Sequence, residues 1–164
     1  MSTVVALISD THMPRGSRRL PDECMHRLDD ADLVLHAGDF VAAEVLEQLR
    51  AHAPLEAVHG NMDEEGLRRS LPREQTVEVE GARIGLVHDG GPKQGRLARL
   101  TGQFANCEAV VYGHTHMPEV LRHGRTWILN PGSPTERRRS PAPSLIVLRV
   151  DGSTVVPELV LLPT

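Results

Sequence analysis

The stretch Val4-Val5-Ala6-Leu7-Ile8-Ser9-Asp10-Thr11-His12 decides the fold. It opens with an apolar, β-branched run that shows no polar alternation. Such a run reads as a short strand covered on both faces. It then breaks at once into Asp10 and His12, residues that ligate and titrate. The same phrase recurs down the chain. Leu33-Val34-Leu35 runs into His36-Ala37-Gly38-Asp39, and Leu55-Glu56-Ala57-Val58 into His59-Gly60-Asn61-Met62-Asp63. Ile84-Gly85-Leu86-Val87 runs into His88-Asp89, and Ala109-Val110-Val111-Tyr112 into Gly113-His114-Thr115-His116. Helical spacing lies between: Asp22 to Asp29 after Pro21, Val41 to Leu49, and Gly95 to Phe104. Strand alternating with helix is the pattern of parallel βαβ units.

Ligands of parallel sheets bind outside the carboxyl ends of the strands. Asp10, His12, Asp39, Asn61, His88, His114 and His116 are therefore expected on one rim. Glycine beside several of them lets the backbone turn sharply. Taken alone, Val110 to Pro118 also reads as a surface turn. In extended chain, residues two apart share a side, so His114 and His116 could aim at one point. Five such loops in register go beyond turn chemistry.

The remaining segments read as hairpins. Glu74 to Glu80 alternates and returns through Gly81 into the Ile84 run. Val120-Leu121 pairs with Trp127-Ile128-Leu129 across His123-Gly124. Leu145 to Val150 pairs with Val155 to Leu162 across an Asp151-Gly152 turn. The fold class expected is α/β, with two mixed sheets packed face to face and helices outside. The chain of 164 residues, 1–164, suits a single domain.

Composition removes several functions. Aromatic residues are 2% of the chain, too few for a base-stacking platform. A net charge of −4 offers no basic footprint for duplex nucleic acid. No apolar stretch approaches a membrane span, and the N-terminus meets Asp10 too soon for a signal peptide. Cys24 and Cys107 have no metal or disulfide spacing and read as reduced thiols, so a cytoplasmic location is expected. Basic charge is nearly all Arg, with Lys93 the single lysine.

Two carboxylates, four imidazoles and one carboxamide exceed the needs of one structural zinc. Oxygen and nitrogen donors without sulfur suit Mn, Fe, Zn or Ni. Seven side chains suffice for two ions sharing a carboxylate. Ions roughly 3.5–4 Å apart form the clamp used for in-line displacement at phosphorus.

The ordered blocks Asp10-x-His12, Gly38-Asp39, Gly60-Asn61, His88 and Gly113-His114-Thr115-His116 resemble those of the calcineurin-like metallophosphoesterases, from Val4 to about Ser133. The short chain and Asn130-Pro131-Gly132-Ser133 resemble the small prokaryotic phosphodiesterase branch. The resemblance implies an αββα sandwich and a binuclear centre. Asp10, His12 and His116 would hold one ion, Asn61, His88 and His114 the other, and Asp39 would bridge them. It implies Mn2+ first, with Fe, Zn or Ni as alternatives, and a bridging hydroxide as nucleophile toward a small phosphodiester. Asp39, Asn61 and Asp63 are the residues carried over as catalytic. Asp63 has either lost a partner histidine or simply orders its loop.

The sequence departs from the family at Met62, where many members carry a histidine that protonates the leaving group. A thioether has no proton to give. Asp89 replaces a common glycine. Arg15 reads as a surface arginine that could offset a monoester's extra charge. His36 and His59 read as packed or supporting residues, and His26, His52 and His123 as surface. Arg137 to Arg139 reads as a solvated loop, and Trp127 as core. Two rivals remain: a phosphomonoesterase or nucleotidase on the same site, and a non-catalytic protein-binding scaffold like a retromer subunit. A homo-oligomer is an open expectation, as is the absence of duplex and membrane partners.

Overall fold

The computed structural model describes residues 2–13 and 19–163, so Arg15 lies outside the described residues. The Val4 run forms β1 (Thr3–Ile8). The chain continues through α1 (Asp22–Asp29), β2 (Leu33–His36), α2 (Ala43–Arg50), β3 (Leu55–Ala57) and α3 (Glu65–Ser70). The second half holds β4 (Glu74–Val79), β5 (Ala82–Val87), α4 (Arg96–Gln103), β6 (Ala109–Val111), β7 (Glu119–His123), β8 (Thr126–Asn130), β9 (Ser144–Asp151) and β10 (Thr154–Leu161).

Two five-stranded sheets result, ordered β10-β9-β1-β2-β3 and β4-β5-β6-β8-β7. Parallel pairing joins β1 to β2 and β2 to β3 in the first, and β5 to β6 and β6 to β8 in the second. The three expected hairpins are antiparallel pairs. Both sheets are thus mixed, as expected.

Strand alternation explains the layering. In β1, Val5 and Leu7 face a buried cluster shared with Ile84, Leu86, Val111 and Leu129 of the other sheet. Ala6 and Ile8 face the opposite way, onto Cys24 and Leu28 of α1 and Val45 and Leu49 of α2. The second sheet repeats this outward: Val110 and Ile128 pack on Leu100 and Phe104. Helix, sheet, sheet, helix is the αββα order. With apolar contact on both faces, β1 has no use for polar alternation.

Three local expectations need correction, and one helix, α3, was not expected. α2 starts at Ala43, not Val41, because the Val41 N–H donates to Asp63 Oδ1 at 2.8 Å and Val41 is held at φ 88°. The last hairpin turns at Gly152-Ser153, with Asp151 paired to Thr154. The third apolar run forms the edge strand β3, so its Glu56 is exposed rather than covered. α3 had no apolar periodicity to announce it, since only Leu67 is buried. Among the described residues, no helix is long and apolar enough to cross a membrane.

Candidate metal centre

The carboxyl ends of β1, β2, β3, β5, β6 and β8 meet on one rim, where the two sheets abut. Backbone bonds lock the loops together there. The Asp10 N–H donates to Gly38 O (2.9 Å), His12 N–H to Asp39 O (3.0 Å), and Gly113 N–H to His88 O (2.9 Å). Close approach requires glycine at several rim positions. A Cβ at Gly60 would overlap the Asp39 carboxylate, and one at Gly113 would overlap Ser9 Oγ.

Five of the seven expected ligands, Asp10, His12, Asp39, His114 and His116, have left-handed backbone with φ between 46° and 73°. Asp and His tolerate this region better than most residues, yet such a conformation still costs about 1–3 kcal/mol each. The sharp turn at each strand end swings the side chain back over the rim. Strain repeated at one place is the mark of a functional site.

Each carboxylate anchors one oxygen and offers the other. Asp10 Oδ2 accepts from Ser9 Oγ (2.7 Å) and His114 N–H (3.0 Å). Its Oδ1 lies 3.4 Å from His116 Nε2, 3.7 Å from His12 Nε2 and 4.0 Å from His88 Nε2. Asp39 Oδ1 accepts from Met62 N–H (2.8 Å). Its Oδ2 lies 3.3 Å from His88 Nε2 and 3.5 Å from His12 Nε2. His88 Nδ1–H donates to Ala37 O at 2.7 Å, which fixes the ring and directs Nε2 inward. That Nε2 also lies 3.1 Å from Asn61 Oδ1.

Two triads emerge, each with ligand atoms within 4.8 Å of one another: Asp10, His12 and His116, and Asp39, His88 and His114. Asp10, His12, Asp39, His88 and His116 are buried, while Asn61 and His114 are exposed on the open side. Among the described residues, Asp10 Oδ1 and both ring nitrogens of His12 are buried without a hydrogen-bond partner. Such orphans cost about 1–3 kcal/mol apiece unless something fills the gap. A cation would satisfy Asp10 Oδ1 together with His12 Nε2, which lies 3.7 Å from it, so the donor set fits divalent metal.

The electrostatics agree. Burial pushes Asp10 up, but the neighbouring His116, His12 and His88 outweigh it and hold the carboxyl far below its usual range. Asp39 is lowered too: burial opposes, and His88 and the Met62 amide prevail. Burial pushes His88 down, yet the Asp39 and Asp10 carboxylates raise it to about 9. The two acids thus stay ionised and recruit positive charge.

Asp63 is buried, and its carboxylate accepts three backbone N–H groups: Asp39 (3.0 Å), Gly60 (2.7 Å) and Val41 (2.8 Å). These bonds tie the second loop to the third and support the loop-ordering reading. His36 is fully buried. It accepts from Gly38 N–H through Nδ1, contacts Thr11 Oγ1 through Nε2 and stacks on Phe40. Burial depresses it to about 3, so it is a neutral buttress. His59 is half-buried; its N–H donates to Pro72 O. His26 and His123 are exposed, and His52 pairs with Asp29 (2.6 Å). Asp89 and Arg137 to Arg139 are exposed, and Trp127 is half-buried, donating Nε1–H to Val155 O.

Three side chains support the rim: Asn130 and Ser133, whose run the sequence singled out without these bonds, and Glu136, which it did not. Ser133 Oγ donates to Asp10 O (2.8 Å). Asn130 Nδ2 donates to Gly113 O (3.3 Å) and Thr115 Oγ1 (3.0 Å). Glu136 Oε2 lies 3.7 Å from His116 Nδ1, the outward nitrogen of a candidate ligand. Asn130 ends β8 and Ser133 follows it, so the end of a strand was available as their signal. Glu136 had none.

A sequence model of the calcineurin-like phosphoesterase superfamily domain matches residues 4–153. A probable metallophosphoesterase of Methanothermobacter thermautotrophicus is 36% identical over 160 residues, covering 96% of this chain and 91% of that protein. A phosphodiesterase of Methanocaldococcus jannaschii is 24% identical over 140 residues, covering 78% and 82%. Among solved structures, wild-type Vps29 of Entamoeba histolytica complexed with zinc superposes with a TM-score of 0.76 at 27% identity, covering 96% of this chain and 98% of that one. The ligand-bearing strand ends, the αββα layering and these matches converge: the chain belongs to the calcineurin-like phosphoesterase superfamily.

Proposed function

We propose that this protein is a binuclear metal-dependent phosphodiesterase. The observation that carries the reading is the pair of offered carboxylate oxygens, Asp10 Oδ1 and Asp39 Oδ2, facing the Nε2 atoms of His12, His88 and His116 in a buried pocket. Asp10, His12 and His116 would hold one cation, Asn61, His88 and His114 the second, and Asp39 would reach both. Mn2+ is the first candidate, with Fe, Zn or Ni as alternatives. Two bound divalent cations would supply a water acidified to hydroxide near neutral pH and compensate charge growing on the phosphoryl oxygens.

The chain's own residues do the rest. Asp63 holds the Asp39 and Gly60 loops in register through three amides. Ala37 O keeps His88 oriented. Ser133 and Asn130 brace the loops of Asp10 and His114. Asn61 and His114 lie on the exposed side, where a substrate arrives. Met62 is 42% exposed on that side and offers only a thioether. With two dications set against two carboxylates and one hydroxide, the centre keeps one net positive charge. That balances a diester better than a monoester. The free thiols of Cys24 and Cys107 fit a cytoplasmic setting.

The rival scaffold reading draws on the likeness to Vps29. Because a Vps29 is itself described with zinc, metal occupancy alone does not separate an enzyme from a scaffold. Turnover does. Metal-stripped protein reconstituted with Mn2+ should hydrolyse bis(p-nitrophenyl) phosphate faster than p-nitrophenyl phosphate. Preference for the monoester would move the assignment to a phosphomonoesterase. Inertness toward diesters, cyclic nucleotides and monoesters alike would favour the scaffold.

A further inference from the structure

Beside the candidate centre lies a cleft of about 210 Å³ lined by His59, Asn61, Arg68, Arg73, His88 and Asp89. Two of these, Asn61 and His88, belong to the expected ligand set, so the cleft opens directly onto it. It is smaller than the roughly 300–1,000 Å³ sites that enclose whole drug-sized ligands. One small group fits it.

Its charge is the informative feature. Among the described residues, the guanidinium groups of Arg68 and Arg73 make no hydrogen bond or ion pair, and both residues are exposed. Their nearest carboxylates in sequence are engaged elsewhere. Glu64 accepts from Ala43 N–H, Glu65 pairs with Arg69, and Glu74 accepts from Gln103 Nε2. Asp89 turns back to accept Gly91 N–H. Two uncommitted guanidinium groups thus face a small cleft next to a phosphate-processing centre. Arg is suited to phosphate because its planar fork matches the oxygens of that group.

We infer that Arg68 and Arg73 take a second phosphate carried on one arm of the substrate, so that the preferred substrates are phosphodiesters bearing a further phosphate on that arm. This rests on the phosphodiesterase reading and sharpens it. The scissile phosphate sits at the centre, and the second sits in the cleft that shares Asn61 and His88 with it.

The test compares ApA, pApA and ApAp as substrates of the Mn2+-reconstituted protein, and the binding of the same compounds to EDTA-stripped protein by calorimetry. The expectation is a KM at least about tenfold lower for one phosphorylated form than for ApA. In R68A/R73A that gap should close, and metal-free binding of the phosphorylated form should weaken about tenfold. R68K/R73K should restore part of the preference, and R83A/R125A, which removes two cations elsewhere, should keep it. Equal KM values for all three compounds, or a preference surviving in R68A/R73A, would overturn the inference while leaving the phosphodiesterase reading intact. If no ester is hydrolysed, that reading fails instead, and the metal-free binding difference decides the arginine site alone.

Discussion

His114 and His116 stand two residues apart on one loop yet face different partners. The His116 ring lies 5.1 Å from that of His12, and the His114 ring lies 5.3 Å from that of His88. Both have left-handed backbone, φ 73° and 62°, so neither follows the same-side rule of extended chain. The loop after β6 thereby feeds both halves of the candidate centre. From this arrangement come expectations about charge, loop order, space and leaving group.

Stability without metal should fall in mildly alkaline solution. His88 is raised from 6.5 to about 9 in the folded protein. Its stabilising contribution is therefore fully present below about pH 6.5 and is lost as pH rises through about 9. The shift corresponds to about 3 kcal/mol. Urea unfolding in EDTA from pH 6 to 10 checks this. A bound cation competes with that proton, so the rise in Tm on adding Mn2+ should be larger at pH 8.5 than at pH 6. A pH-independent metal effect would contradict the assignment of His88.

Asp63→Ala should destabilise the protein by about 3 kcal/mol, because three amides lose a charged acceptor. Asp63→Asn should cost less, since one amide oxygen remains. Metal affinity should fall in both, because Asp39 shifts with its loop. Denaturant unfolding together with a metal titration reads both effects. Unchanged stability in Asp63→Ala would show that the carboxylate does not hold the loops.

Gly60→Ala should damage the site more than the fold. The added methyl overlaps Asp39, while Gly60 lies in a loop outside the sheets. The expected stability loss is about 1–3 kcal/mol. The expected loss in metal affinity is tenfold or more, of the size seen when groups supporting a ligand are disturbed. Calorimetric Mn2+ titration of the variant and the parent checks it.

Met62→His should change which leaving groups are tolerated. The parent has no proton donor at this exposed position and should favour acidic aryl leaving groups over alkyl alcohols. A general acid typically contributes ~10²–10⁴-fold, and the gain should fall on alkyl esters. Equal aryl/alkyl ratios in parent and variant would show that leaving-group protonation is not governed from this position.

Much of this was readable in the chain because it depends on local grammar. Covered strands need unbroken apolar runs, and Val4 to Ile8 shows one. The turn that ends a parallel strand is where Asp, His or Asn can lean over the rim, so the seven expected ligands carried their own signal. Asp63 was visible by position, but its part in holding three amides was not, because those amides come from distant loops. Glu136 meets His116 only through the fold, since a residue 20 positions away gives no spacing cue. α3 has one buried side chain and so no period. Arg68 and Arg73 carry no motif or spacing cue, and only the fold sets them beside His88.

The most direct test of the binuclear centre is anomalous diffraction from crystals grown with Mn2+. Two peaks are expected in the rim pocket, one bound by Asp10, His12 and His116, the other by Asn61, His88 and His114, with Asp39 touching both. A single peak, or two that share no Asp39 oxygen, would contradict the account.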